Sequence, residues 1–444
     1  MRRALYFALP ALAAAALAAG CSENRVIELP LTEKTGFGPF TLSYGASGIN
    51  TDDRENPWYN LNLNPLSAPD GMTDVRYGSI ETDIYQSVYQ GYHSGQITPE
   101  FYRNLQAGWN WVPDTLILSK SPVRTRIAFA VGKDSAGRTV TAIDTDNDMD
   151  LADEETFIPA GTDEIYASEN PDSAALANTV MVCVDKYADG RAEEITIPLS
   201  VAWREKQNYL FTNFPVYSET EYKGERIAVR PRQYRSFDNY GLELALFRDA
   251  DTSGKVSFGH TYKAGDILDI GGDLLMIKGV DTADNTLKLE KMNAPAEEIY
   301  AAQKGFLAKP FAGREFTSGR EIRLEDFRGK YVLLDFWALG CPPCIHEFPI
   351  LKELYQKTGR DDFEIIGIIC PGDSQLIEKT IASSGLPWPQ VMADSDESNI
   401  NTSYGIYYYP TTFLIGPDGV ILEKDIRGRD IETKVLSLIG ENED

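Results

Sequence analysis

Two cysteines three positions apart, Cys341 and Cys344, carry the most specific chemistry in this 444-residue chain. A Cys-x-x-Cys at a strand-to-helix turn closes a small disulfide or presents a dithiol, so its chemistry is thiol–disulfide exchange. At the first turn of a helix the leading sulfur meets unpaired N–H groups and the positive dipole end. Both favour thiolate, which makes Cys341 the expected nucleophile. Cys344, one turn further in, is the expected resolving thiol that attacks the mixed disulfide. Pro342 and Pro343 suit early helix positions but remove two donors, so the predicted acidity of Cys341 is moderate. A zinc site needs four ligands, and five Cys and three His supply no second Cys-x-x-Cys or His pair.

The flanking elements must position these sulfurs. Residues 331–337 (YVLLDFW) form an apolar, β-branched and aromatic run that reads as a buried strand ending at Ala338-Leu339-Gly340. The following helix shows apolar positions at Ile345, Phe348, Leu351, Leu354 and Tyr355, the spacing of one buried face. His346 lies about 200° around that helix from Cys344 and points away from the thiols. Glu347, three residues on, can share the face of Cys344; if buried, its raised pKa would let it shuttle a proton. Further strands are predicted at 363–370, 411–415 and 420–426, a hairpin at 314–323, and helices at 374–384 and 430–439. Such alternation implies an α/β sheet covered by helices.

These pieces resemble a family. Asp335-Phe336-Trp337-Ala338, the CPPC turn at 341–344, Glu347-Phe348-Pro349, 410–415 (PTTFLI) and Pro417-Asp418-Gly419 make residues 311–444 similar to the thioredoxin-fold domain of TlpA-like thiol–disulfide oxidoreductases. The resemblance implies that Asp335 is the buried acid handling the resolving thiol's proton, with Glu347 a second acid. It implies that Pro410 is a cis-proline facing the disulfide, where extended substrate backbone docks. Trp337, Gly340 and Tyr409 complete the implied substrate-binding rim, Gly340 standing where the family usually has Trp. No cofactor is implied beyond the redox-active disulfide. Disulfide-bearing protein clients and a membrane thiol carrier of the DsbD type, as electron donor, are the implied partners.

The chain begins like an exported lipoprotein. Arg2 and Arg3 precede an apolar stretch from Leu5 to Ala19, and 17–21 (LAAGC) resembles a lipobox with Cys21 as the acylated residue. The apolar run is too short for a secure membrane span, so a lipid anchor in a Gram-negative-type envelope is expected. In that oxidising compartment disulfides persist, yet Cys183 and Cys370 lie on separate predicted strands and read as buried free thiols. A net charge of −25 argues against nucleic acid or anionic lipid as partners.

The expected organisation is a signal peptide over 1–20, a tether and irregular aromatic-rich region over 21–122 and a β-rich, sandwich-like module over 123–292. A linker over 293–313 and the thioredoxin-like domain over 314–444 follow. Residues 99–109 suggest a helix in the second segment, whose aromatics (Trp58, Tyr59, Tyr89, Tyr92, Trp109, Trp111) suit either packing or a glycan or peptide groove. Eight β runs between 125 and 292, separated by turn residues, support the β-rich module. Two acidic loops within it have calcium-loop spacing. The first offers Asp144, Asp146, Asp148 and Glu155, with Met149 where Gly is usual; the second offers Asp249, Asp251 and Ser253 but ends on His260. The competing reading is solvated Asp turns bonding their own backbone.

The sequence thus predicts an envelope protein that reduces client disulfides through Cys341 and Cys344. An oxidase or isomerase, or a calcium- or ligand-binding lipoprotein with an accessory redox domain, is the alternative.

Overall fold

The computed structural model describes residues 26–440, apart from 110, 116, 189, 232–240, 283, 396–397 and 407. The expected signal segment and Cys21 therefore lie outside the described residues. Among the described residues no helix is long and apolar enough to cross a membrane.

The described residues between Val26 and Lys291 form four four-stranded antiparallel sheets. Thr73–Glu81, Arg126–Lys133 and Thr139–Ile143 share one core with Thr179–Ala188, Arg191–Arg204 and Tyr209–Asn213, through residues such as Ile127, Phe129, Val182, Leu199 and Leu210. Glu225–Pro231 and Leu242–Leu246 share a second core with Ile267–Ile270, Asp273–Asp281 and Thr286–Lys291, through Ile227, Leu244, Leu275 and Leu289. Residues 123–292 are β-rich, as expected, and supply these two larger cores together with smaller apolar clusters such as that of Phe40, Ala228, Ala245 and Val256.

The segment expected to be a tether is also structural. Val26–Pro30 pairs with Thr286–Lys291, and Thr32–Thr35 with Val216–Tyr222. The alternation needed for these strands is short and mostly exposed, so hydrophobic periodicity did not announce them. Helices Ile84–His93 and Pro99–Gly108 gather Trp58, Tyr89, Tyr92, Trp109 and Trp111, but not Tyr59, into a packed cluster; Tyr92 stacks on Tyr102 at 4.2 Å and Trp58 meets Phe101 edge-on at 5.0 Å. The packing reading holds for these rings.

Residues from about 306 onward form a five-stranded sheet in the order Gln390–Met392, Phe363–Ile369, Tyr331–Trp337, Thr411–Ile415, Ile421–Lys424. The first three are parallel to one another and the last two run antiparallel to their neighbours. All seven residues of Tyr331–Trp337 are buried, because helices and loops cover both faces of a central strand. Val332, Leu334 and Phe336 enter one core, and Leu333 and Trp337 the other.

Helix Pro342–Lys357 lies on the second face and buries Cys344, Glu347, Phe348, Leu351 and Leu354. Ile345 departs from the expected apolar face: it is 39% exposed, one residue past the motif. The join over 293–313 is not a free linker. Leu307 bridges to Tyr300 and Val420, and Gly305 N–H donates to Ile421 O at 2.8 Å. The β-rich part also reaches across: Lys263 Nζ donates to Gly405 O at 2.5 Å.

Candidate redox site

Strand Tyr331–Trp337 ends at the carboxyl edge of the sheet, and the chain turns through Gly340 in the left-handed region (φ 70°) before the helix begins. Glycine adopts that conformation without the Cβ penalty, and open space surrounds the place a Cβ would occupy. The rim beside the first cysteine is correspondingly bare.

Cys341 is the N-cap residue of helix Pro342–Lys357 and is disulfide-bonded to Cys344, with Cα atoms 5.4 Å apart. Its Sγ accepts from Cys344 N–H at 3.3 Å. Pro342 and Pro343 lack N–H groups, so Cys344 provides the first amide able to reach the sulfur. Cys341 is half-buried, whereas Cys344 is 1% exposed. His346 is exposed, as the helical geometry predicts.

Beneath the disulfide lie two acids. Asp335 shares the strand face of Leu333 and Trp337, which is the face covered by the Cys344 helix. It is 2% exposed, and its Oδ2 has no hydrogen-bond partner. Burial, then the nearby Glu347, pushes its carboxyl up to about 7, while Arg427 opposes the rise. Glu347 is 6% exposed; its Oε1 accepts from Gly428 N–H at 2.7 Å, and its Oε2 lies 4.0 Å from Arg427 Nη1. Arg427 is the polar member of this group that motif reasoning missed. No spacing rule links residue 427 to 347; only the return of the last hairpin brings them together.

The Tyr409–Pro410 bond is cis, as the resemblance implied. Tyr409 is half-buried and packs against both cores, its hydroxyl accepting from Asn401 Nδ2 at 2.9 Å. Burial, and then a hydrogen bond with Cys370, raises that hydroxyl's pKa. Cys370 and Cys183 are free, as expected, but each is half-buried and not sealed in a core.

Trp337 corrects an expectation. It is fully buried, its Nε1 donating to Gln390 Oε1 at 2.9 Å and its ring meeting Phe348 edge-on at 5.5 Å. It cannot touch a client at the surface; it braces the floor below the cysteine helix.

The acidic loops separate. Asp144, Asp146 and Asp148 bring carboxylate oxygens within 4.8 Å of one another. Burial pushes the Asp144 carboxyl up to about 6, partly offset by the N–H groups of Met149 and Asp148. Asn147 and Met149 take up left-handed conformations (φ 61° and 71°), so the turn forms without the usual Gly. Glu155 is exposed and outside this group. Its neighbour Glu154 turns back instead, its Oε1 accepting from Thr145 N–H at 2.5 Å and its Oε1 and Oε2 from Thr145 Oγ1 at 2.9 and 3.0 Å. In the second loop Asp251 Oδ1 accepts from Ser253 N–H and Oγ and from Lys255 N–H, and Asp249 Oδ2 accepts from the Tyr262 hydroxyl. That is the backbone-bonding Asp turn; Asp249, Asp251 and Ser253 do not converge as a ligand set.

A cavity of about 730 Å³ lies in the β-rich part, lined by Glu33, Ser47, Glu81, Arg230 and Glu243 among others. None of its lining residues comes from the thioredoxin-like part.

A five-stranded sheet presenting a Cys-x-x-Cys disulfide at a helix N-terminus, with a cis-proline leading into the adjacent strand, defines the thioredoxin-fold redox proteins. Comparisons agree. The AhpC/TSA family matches residues 306–424. The thiol-disulfide oxidoreductase ResA of Geobacillus kaustophilus is 36% identical over 123 residues, 27% of this chain and 70% of that protein. ResA of Bacillus anthracis is 37% identical over 108 residues, 24% of this chain and 61% of the relative. The thioredoxin domain of a thiol-disulfide oxidoreductase from Bacteroides vulgatus is 32% identical, with 31% of this chain and 98% of that one covered and a TM-score of 0.29. Several of the curated relatives are thus spanned over only about three fifths of their length. The chain belongs to the TlpA-like thiol-disulfide oxidoreductase family.

Proposed function

We propose that this protein reduces disulfides in client proteins by dithiol exchange. The observation that carries the reading is the Cys341–Cys344 disulfide, with its more accessible member at the helix N-cap and the buried Asp335–Glu347 acid pair beneath. In the reduced form the Cys341 thiolate attacks one client sulfur, forming a mixed disulfide and releasing the other client sulfur as a thiolate. Asp335 accepts the proton of Cys344, whose thiolate then attacks Cys341 Sγ. The mixed disulfide breaks, the second client sulfur leaves, and Cys341–Cys344 closes. Two electrons pass from the dithiol to the client, and a donor dithiol must restore them. Family likeness supports a membrane thiol carrier of the DsbD type for that step. The lipobox-like Cys21 supports placement at the envelope membrane.

The direction is tested by equilibrating the Cys341–Cys344 couple in a thiol buffer and counting alkylated thiols by mass. The expected potential is near or below about −250 mV, among thioredoxin-like reductants. A value of about −180 to −120 mV would place the protein with isomerases and oxidants instead.

A structural Ca²⁺ at Asp144, Asp146 and Asp148 is a further part of the proposal, since three hard oxygens from one turn suit that ion. Calcium should raise the melting temperature of the wild-type chain but not of Asp146→Asn.

A further inference from the structure

Arg427 stands between the last strand and the last helix, and its side chain touches both halves of the site. One nitrogen, Nη2, donates to the carbonyl of Pro410 and lies 3.4 Å from Asp425 Oδ1. The other, Nη1, lies 4.0 Å from Glu347 Oε2. The next residue holds the same carboxylate from its other oxygen, through Gly428 N–H. Asp335 Oδ2, Glu347 Oε2 and Arg427 Nη1 are all buried without a hydrogen-bond partner. Buried polar atoms are nearly always satisfied, so three such atoms on one interacting group point to a functional arrangement.

We propose that Arg427 is a positioning residue that ties the cis-proline loop, where client backbone docks, to the Asp335–Glu347 pair beneath the disulfide. The proposal rests on the exchange reading above. A guanidinium can do this because it is planar, always charged and forked, so one group holds a carbonyl while facing a carboxylate. Its charge opposes the burial that keeps Asp335 protonated. Its fork fixes the Pro410 carbonyl and hence the orientation of the loop beside Cys341. The other charged and titratable groups around it have their own engagements. Asp425 also accepts from the Tyr408 hydroxyl at 2.7 Å, while Arg429 and Glu432 pair with each other, Glu353 and Lys357.

Charge and fork are separable by substitution. Arg427→Met removes both; Arg427→Lys keeps the charge but cannot hold two partners in one plane. The experiment measures kcat and KM for insulin reduction by the purified full chain from pH 5.5 to 9.5, with dithiothreitol as electron source. Without the arginine's charge Asp335 holds its proton to higher pH and is a poorer acceptor for Cys344. For Arg427→Met the midpoint of the kcat profile should therefore rise by about one pH unit, making kcat roughly fivefold lower at pH 7 and restored by pH 9. For Arg427→Lys the midpoint should stay within a few tenths of a unit of wild type while KM rises several-fold. A wild-type midpoint in Arg427→Met overturns the charge role, and a wild-type KM in Arg427→Lys overturns the loop role even if the methionine variant does not fold. Absence of insulin reduction by the wild-type chain at every pH removes the exchange reading itself, a different result from unchanged profiles in active variants.

Discussion

Cys341 is half-exposed at the helix N-cap while Cys344 is 1% exposed, so a client sulfur can meet only the first. Exchange then has an order, and each substitution stops it at a different point. Cys344→Ser should trap the client on Cys341 as a mixed disulfide, visible on a non-reducing gel, with turnover down about a thousandfold or more. Cys341→Ser should trap none; equal trapping by both variants would contradict the assigned order. The acid below makes a second claim. Burial and Glu347 raise the Asp335 carboxyl from an ordinary value near 4 to about 7. Between those values the unfolded chain binds fewer protons than the folded one, so stability falls as pH rises through that window and levels off above it. Asp335→Asn removes the penalty. It should match wild type near pH 4 and exceed it at pH 8 by on the order of 2 kcal/mol in urea melts. A variant less stable than wild type at pH 8 would show that the carboxylate is well solvated in the fold.

At the scale of elements, legibility follows the length and burial of each run. Phe363–Ile369, Thr411–Ile415 and helix Ser374–Ser384 lie where the sequence places them, because each has a continuous apolar pattern with a clear stop. Gly385, left-handed at φ 58°, ends the last of these. Thr32–Thr35 is fully exposed and Gly48–Ile49 has two residues, so neither carries a pattern to read. Of the site, the cysteines, Asp335, Glu347 and Pro410 were legible because they are local to motifs. Arg427 was not, being joined to Glu347 across 80 positions only by the fold. Trp337 was misread because its motif shows adjacency to the cysteines but not the direction of its ring. That ring depends on a glycine next door. A Cβ on Gly367 would sit 2.2 Å from Gln390 Oε1, the atom that accepts from Trp337 Nε1. Gly367→Ala should therefore displace Gln390, cost about 1–3 kcal/mol and alter the near-ultraviolet tryptophan signal. An unchanged melting temperature and spectrum would show that the strand relaxes without disturbing the floor.

Across the whole molecule, the β-rich part reaches one short helix that precedes the cis-proline loop. Ile400–Tyr404 ends at Gly405 in a left-handed cap. Lys309 Nζ donates to Ser403 O at 2.8 Å, and Lys263 Nζ, from the β-rich part, to Gly405 O. Cations suit a helix C-terminus because they answer its unsatisfied carbonyls and negative dipole end. The chain then runs within five residues to Pro410, so the β-rich part touches the segment that leads into the cis-proline loop. Lys263 is held there at some electrostatic cost: burial lowers its pKa to about 8 despite the neighbouring Asp266. A charge-assisted hydrogen bond is worth about 1.5–3 kcal/mol, and local opening is governed by local terms of this size. Lys263→Met should therefore speed hydrogen exchange at the amides of Gly405 and Ile406, which bond to Thr402 O and Asn401 O, by roughly tenfold or more. The strand amides of Phe363–Ile369 should keep their wild-type protection, because their bonds belong to the sheet. Faster exchange confined to the helix end makes the β-rich part a brace for the redox loop. Unchanged exchange there would mean that Lys309 and the Gly405 cap suffice, leaving the contact as packing without a hold on the site.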